Sequence, residues 1–244
     1  MTGHTVLWSP VRLSPVELAV CWSHLGLGAL PRVLDPAAVQ PRDSVREVLT
    51  GLRGRGVAPR GGQLERQLRT LAGGECRIDS WQFLDEPVRL RAALSGPVGV
   101  LAVLRADHAV LVSVPHYAVP GQLLAGLAPV DPAPLPPVSV RATALDEADR
   151  DHLAAALAAR GEPRSAAERC ARALRDAGHH GRFAVTAGGR RSGRVVAFHD
   201  TGLGRLLVLR GPDRTTCLPA DRAAVAAAIA ELVDETRGST EPLA

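Results

Sequence analysis

The pattern of apolar and polar positions divides the chain into helices followed by strands. Ser14 with Glu17, and Ser44 with Glu47, each have the spacing of a capping box, which predicts helix starts at these two points. The other elements predicted for the first half are a strand at residues 5–8, a helix at 63–72, strands at 75–83, 88–94, 98–104 and 109–114, and a helix at 120–127.

The same order of elements follows in the second half. Helices are predicted to begin near Thr143 and Ser165, and a last helix follows Pro219-Ala220-Asp221. Between them the pattern predicts strands at 181–187, 194–199 and 205–210. The predicted fold class is therefore α+β, with a central, mainly antiparallel β-sheet flanked by helical bundles and a pseudo-two-fold internal repeat.

A proline-rich stretch separates the two halves. Five prolines lie within residues 129–137, which predicts a stiff, polyproline-like connector. We therefore predict an N-terminal half at 1–128, the connector at 129–137, a C-terminal half at 138–236 and a tail at 237–244. The two halves are expected to share one sheet as a single domain.

The segment from Arg194 to Gly211 has the pattern of a β-hairpin. Two apolar runs flank Asp200-Thr201-Gly202-Leu203-Gly204, where two glycines and an Asp favour a turn. Asp-Thr-Gly is also the motif of aspartic proteases, so a dimeric hydrolase is an alternative function. Against it, Leu203 replaces the usual Ser or Ala, and the Ala-rich segment that follows does not suit a β-barrel.

Composition and charge exclude several classes of protein. All 29 basic residues are arginine, the formal net charge is only +4, and 3% of residues are aromatic, so we expect no nucleic-acid partner. No apolar run is long enough for a membrane span, and four widely spaced cysteines in apolar contexts are typical of a cytoplasmic protein. We find no convincing catalytic, cofactor or metal motif, and the pair His179-His180 is expected to be solvated.

The strands are more apolar than a sheet with one solvated face requires. Residues 98–104, 109–114 and 206–209 are apolar at nearly every position. Either helices cover both faces, or part of one face near the 194–210 hairpin is open as a docking surface for another protein.

Several short motifs, in order along about residues 5–236, resemble the EspG family of cytosolic proteins of actinobacterial type VII (ESX) secretion systems. The motifs are Trp22-x-x-Leu25-Gly26-Leu27-Gly28-x-x-Pro31, Leu52-x-Gly54-x-Gly56, Leu71-Ala72, Gly181-x-Phe183, Asp200-Thr201-x-x-Gly204-Arg205 and Pro219-Ala220-Asp221. The chain departs from the family pattern at Leu206, where Tyr is common, and at Arg182, where Gln is often found.

The resemblance implies a non-enzymatic secretion chaperone with a central sheet, helical bundles and pseudo-two-fold symmetry. It implies that the protein binds and solubilises a PE/PPE-like heterodimer, or another helical-hairpin substrate, and exists as a monomer or weak homodimer. The predicted partner contacts are Phe183, Arg194, Val196 and Phe198, on the strands of the second half. The alternatives are the dimeric aspartic-type hydrolase and a non-secretory scaffold or regulatory protein.

Overall fold

A computed structural model describes residues 8–35, 44–146, 152–174 and 178–239. The chain divides into two compact units: unit 1 comprises Met1–Trp81 and Glu86–Leu123, and unit 2 comprises Gln82–Asp85 and Leu124–Ala244. The observed division lies between Leu123 and Leu124, whereas the first half was predicted to end at residue 128. The predicted domain boundaries otherwise stay a prediction.

Unit 1 combines an antiparallel sheet with helices. Its helices are α1 (Pro15–His24), α2 (Val45–Gly54), α3 (Gln63–Gly73) and α4 (Val119–Gln122), and its strands are β1 (Trp8–Leu13), β2 (Cys76–Phe83), β3 (Pro87–Ser95), β4 (Val98–Leu104) and β5 (Ala109–Pro115). The strand order is β1-β5-β4-β3-β2, and the last residues of β2 belong to unit 2. Helix α3 packs on β3 and β4, so the apolar strands have a helical cover.

Both predicted capping boxes of unit 1 are confirmed. Ser14 accepts a hydrogen bond from the Glu17 N–H, and Ser44 accepts one from the Glu47 N–H. Each glutamate in turn accepts from the backbone N–H of its serine. Because these bonds satisfy N–H groups that a helix leaves open, they set the starts of α1 and α2.

Three predictions for unit 1 are wrong in detail. The first described strand is β1, which runs past the predicted 5–8 to Leu13, and residues 5–7 lie outside the described residues. The apolar spacing after Ser44 predicts Val45, Val48, Leu49 and Leu52 as the buried stripe of α2, but Val45 is 53% exposed. Of the helix predicted at 120–127, only the part within the short α4 is helical, and α4 ends at Gln122. Leu123, and Leu124 and Leu127 of unit 2, are nevertheless buried, so the spacing of the leucines reflects burial and not a long helix.

Unit 2 has its own antiparallel strands and helical layer. Its elements are β6 (Val138–Arg141), α5 (Ala142–Asp146), α6 (Leu153–Ala159), α7 (Arg164–Leu174), β7 (His180–Ala187), β8 (Arg190–Arg191), β9 (Val195–Thr201), β10 (Gly204–Arg210), β11 (Arg214–Pro219) and α8 (Arg222–Gly238). The strand order is β7-β9-β10-β11-β6, with β8 paired to β7. Helix α7 packs on β6 and β9, and α8 packs on β7 and β9.

The second half differs from its sequence prediction in three elements and two helix starts. Strands β6, β8 and β11 were not predicted, because they are short or carry polar residues at alternate positions. Helix α5 begins at Ala142 and helix α7 at Arg164, so Thr143 and Ser165 lie inside these helices and do not cap them. The α+β class with mainly antiparallel pairing is confirmed, and the internal repeat stays a prediction.

The proline-rich connector is bound to the sheet of unit 2. Pro132 forms a parallel bridge with Arg205, the Arg205 N–H donates to the Asp131 carbonyl, and the Ala133 N–H donates to the Arg205 carbonyl. Because Ala133 is 1% exposed, the connector at this point is part of the core.

Candidate partner-binding surface

The predicted hairpin is confirmed as β9 and β10, joined by Gly202 and Leu203. The Thr201 hydroxyl donates to the Gly204 carbonyl and accepts from the Leu203 N–H. Gly204 has a φ of +127°, and a Cβ at this position would lie 2.6 Å from the Asp131 carbonyl oxygen. Glycine is therefore required here both by the backbone conformation and by the close approach of the connector.

Asp200 of the Asp-Thr-Gly motif takes part in a buried ion pair. Its two carboxylate oxygens accept hydrogen bonds from Nε and Nη2 of Arg205, at 2.6 and 2.9 Å. Arg205 is 0% exposed, also donates to the Ala128 carbonyl, and stacks on the Phe198 ring at 5.7 Å. Because a guanidinium occupies both oxygens, Asp200 is placed to hold the hairpin and connector together rather than to transfer protons.

Three of the four predicted partner contacts are buried. Phe183, Val196 and Phe198 are at most 1% exposed, and the Phe183 and Phe198 ring centroids are 6.3 Å apart. Ala197 of β9 packs into the core beneath α6 and α7, so its neighbours Val196 and Phe198 point to the opposite face. The side chain of Arg194 is 38% exposed and is paired with Glu235 of α8. Of the four, only Arg194 reaches the surface, and its contact with a partner stays a prediction.

The structure reveals a different aromatic surface on unit 2, formed by Phe83, His180 and His199 and called here the aromatic row. The Phe83 ring stacks on His180 with centroids 4.8 Å apart and an interplanar angle of 20°. His180 stacks on His199 at 5.8 Å and 21°, because the two histidines are direct cross-strand partners in β7 and β9. The side chain of Phe83 is half exposed, at 50%.

The aromatic row is flanked by apolar and charged groups. His199 pairs across the strands with Leu206, which belongs to the core beneath α6 and α7. Arg182 is exposed two residues along β7 on the same face as His180. Beside the row, His179 Nε2 lies 3.1 Å from a carboxylate oxygen of Asp85. The surface thus combines the exposed Phe83 ring and two partly buried imidazole rings with an exposed arginine and a carboxylate.

Sequence reasoning missed this surface. The pair His179-His180 was expected to be solvated, and Phe83 falls at the end of an apolar strand. The sequence did indicate, by alternation along a strand, that His180 and Arg182 lie on the same face. That His199 is the cross-strand partner of His180 follows only from the strand register.

The described residues provide no other obvious chemistry. They contain no group of three or more His, Cys, Asp or Glu side chains that could hold a metal ion. In the same residues, no helix has the length and apolarity needed to cross a membrane.

Comparisons with known proteins agree with this architecture. The sequence model described as the EspG family matches residues 14–231. No curated protein matches. Among solved structures, the chain is similar to the Mycobacterium tuberculosis type VII secretion system chaperone EspG5, solved in complex with a PE25–PPE41 dimer. The TM-score is 0.69 with 16% sequence identity, over 94% of this chain and 97% of that chain. At this identity the likeness shows the fold.

Proposed function

This chain belongs to the EspG family, and from that premise we propose that it is a chaperone of a type VII secretion system that binds PE/PPE-like helical substrates. The observation that carries the proposal is that the family match spans 14–231 and so runs through both units. The structurally similar EspG5 is a type VII secretion chaperone that was solved with a PE25–PPE41 dimer bound. We extend the same class of partner to this chain.

The aromatic row is the surface we propose for substrate contact. Phe83 supplies exposed apolar area, which suits the apolar tip of a helical hairpin. A helix end also leaves backbone N–H or carbonyl groups unsatisfied, and His179, Arg182 and Asp85 offer donors and an acceptor for them. Arg194, which directly precedes strand β9, is a second candidate contact.

The proposed role is non-enzymatic and cytoplasmic. Asp200, the residue on which a hydrolase would depend, is held by Arg205 in the core and is 8% exposed. A chaperone that keeps secretion substrates soluble must act before their export, which favours the cytoplasm. The proposed partner is a PE/PPE-like heterodimer, with no nucleic acid and no membrane insertion, and the free protein is proposed to be a monomer or weak homodimer.

Co-expression with a PE/PPE-like pair from the same locus tests the function. We expect a stable complex on affinity purification and size-exclusion chromatography, and a PE/PPE-like pair that is more soluble in the presence of this chain. If no such pair co-purifies, the proposed function is wrong.

A matched pair of variants tests the surface. Phe83→Ala is expected to weaken binding roughly 10- to 30-fold, because truncating an aromatic anchor at an interface typically removes about 1.4–2 kcal/mol. Tyr117→Ala is the control, because Tyr117 is also an exposed aromatic (75%) but belongs to unit 1. Equal affinities for Phe83→Ala, Tyr117→Ala and the wild type, measured by isothermal titration calorimetry, would remove the aromatic row from the interface and leave the function in place.

A further inference from the structure

The central ring of the aromatic row has a fixed hydrogen-bonding polarity. Nδ1 of His180 lies 3.1 Å from the carbonyl oxygen of Gly178. Because a carbonyl oxygen only accepts hydrogen bonds, Nδ1 carries the hydrogen atom and donates it. A neutral imidazole has one donor and one acceptor nitrogen, so the other nitrogen of His180, Nε2, is an acceptor. Within the described part of the chain Nε2 has no hydrogen-bond partner, which leaves it available to another molecule.

The His180 ring is also held in position by its neighbours. Strand β7 lies between β2 and β9, so the rings of Phe83 and His199 stack on opposite sides of the imidazole, at 4.8 and 5.8 Å. Together with the bond to Gly178, this stacking restricts the rotation of the ring. A partner that donates to Nε2 therefore meets an acceptor that is already ordered, which lowers the entropic cost of the contact.

We propose that Nε2 of His180 accepts a hydrogen bond from an open backbone N–H at the start of a substrate helix, and that acid weakens this contact. The inference rests on the proposed function, because its ligand is the tip of a helical hairpin. At such a tip one helix ends and the next begins, so open carbonyl and open N–H groups lie side by side. Arg182, exposed two residues along β7, supplies donors for the carbonyl groups. Two strand residues span roughly 6–7 Å, close to the roughly 8–10 Å between packed helices.

Protonation of His180 would reverse the polarity of this contact. An imidazolium donates from both nitrogens, so Nε2 no longer accepts the N–H of the partner. The new positive charge would also face the positive end of the helix dipole. Both effects favour the neutral ring in the complex, so affinity is expected to be highest above the range of about pH 5–8, in which histidines generally gain their charge, and to fall as the pH is lowered through it.

Few other charges of the described residues lie beside His180. They are Arg182 on the same strand, His199 on β9, and His179 with its acceptor Asp85 next to the row. Strand β8 also packs on β7, but it pairs at residues 186–187, near the other end of the strand. Helix α8 packs on β7 as well, and its buried side chains include no charged residue. The pH dependence must therefore be separated from the titration of the two other histidines.

The test measures the affinity of the full chain for a PE/PPE-like pair from the same locus, by isothermal titration calorimetry at about pH 8 and about pH 5.5. The wild type is expected to bind roughly 5- to 10-fold more weakly at the lower pH, because histidines are mostly charged there. His180→Phe keeps a ring for stacking but has no acceptor. It is expected to bind roughly 3- to 10-fold more weakly than the wild type near pH 8, and with equal affinity at both pH values.

His116→Phe is the matched control, because His116 is also exposed but belongs to unit 1. This variant is expected to keep the affinity and the pH dependence of the wild type. The inference is overturned if the wild type binds equally well at both pH values, if His180→Phe keeps the pH dependence, or if His180→Phe matches the wild type near pH 8. In these cases the complex still forms and the proposed function stands. If no complex forms at either pH, the proposed function and this inference both fail.

Discussion

The buried ion pair between Asp200 and Arg205 provides the sharpest test of the structure. Asp200→Ala removes two charge-assisted hydrogen bonds, at 2.6 and 2.9 Å, and leaves a guanidinium that is 0% exposed without its carboxylate. Removing one partner of such a pair costs about 3–5 kcal/mol, because the remaining charge stays buried and uncompensated. This is a large share of the roughly 5–15 kcal/mol that stabilises a typical domain.

Urea denaturation measures the effect. With a slope of about 1–3 kcal/mol per molar urea, the loss of about 3–5 kcal/mol is expected to lower the midpoint by roughly 1–5 M. Circular dichroism is the suitable signal, because Trp8, Trp22 and Trp81, the three tryptophans of the chain, all lie in unit 1, whereas the ion pair lies in unit 2.

Two further variants separate burial from charge. Asp146 pairs with Arg210 on the surface, with side chains 47% and 46% exposed, so Asp146→Ala is expected to cost less than about 1 kcal/mol. The double variant Asp200→Ala/Arg205→Met removes both buried charges and is expected to recover most of the lost stability. If Asp200→Ala were no more destabilising than Asp146→Ala, Arg205 would have to be solvated and the described packing of the hairpin would be wrong.

Three other substitutions test particular features of unit 2. Phe183→Ala is expected to destabilise the protein by about 3–5 kcal/mol in the same urea assay, because the ring is buried. The affinity of the folded variant for a substrate is expected to be unchanged. Weaker binding without a loss of stability would contradict the burial of this ring. Gly181→Ala is expected to lower the free energy of unfolding by about 1–3 kcal/mol, because the added Cβ would lie 2.5 Å from a ring carbon of Phe198. Gly193→Ala is the neutral control, because a Cβ added at Gly193 would have no heavy atom within 4 Å. Glu162→Gln is expected to cost about 1–2 kcal/mol near neutral pH, since hydrogen bonds from an arginine side chain and backbone hold the pKa of Glu162 below its ordinary 4.5. A depressed pKa contributes stability above 4.5 that is lost as the pH falls through the folded value, so wild type and variant should converge in acid; a difference that persists there would refute this assignment.

The sequence alone determined the features that depend on neighbouring residues. The capping boxes at Ser14 and Ser44 act over three residues, so the start of each helix is encoded locally. The hairpin around Gly202 and Leu203 was predictable for the same reason, because turn residues lie between two apolar runs. The family could also be recognised, since its short motifs occur in order along the chain.

Tertiary structure decided which of the predicted contact residues are buried and which reach the surface. The three buried residues are apolar residues on apolar strands, namely Phe183, Val196 and Phe198. Nothing in the local sequence distinguishes an apolar side chain beneath a helix from one at the surface. The role of Asp200 likewise depended on Arg205, whose burial follows from the path of the connector.

The aromatic row shows the physical reason. Phe83, His180 and His199 come from three strands, and their stacking exists only once the register places His180 opposite His199. A one-residue shift in that register would turn one set of side chains to the other face. Local patterns thus determined most of the helices and longer strands, whereas the pairing of distant strands determined the surface that the protein presents.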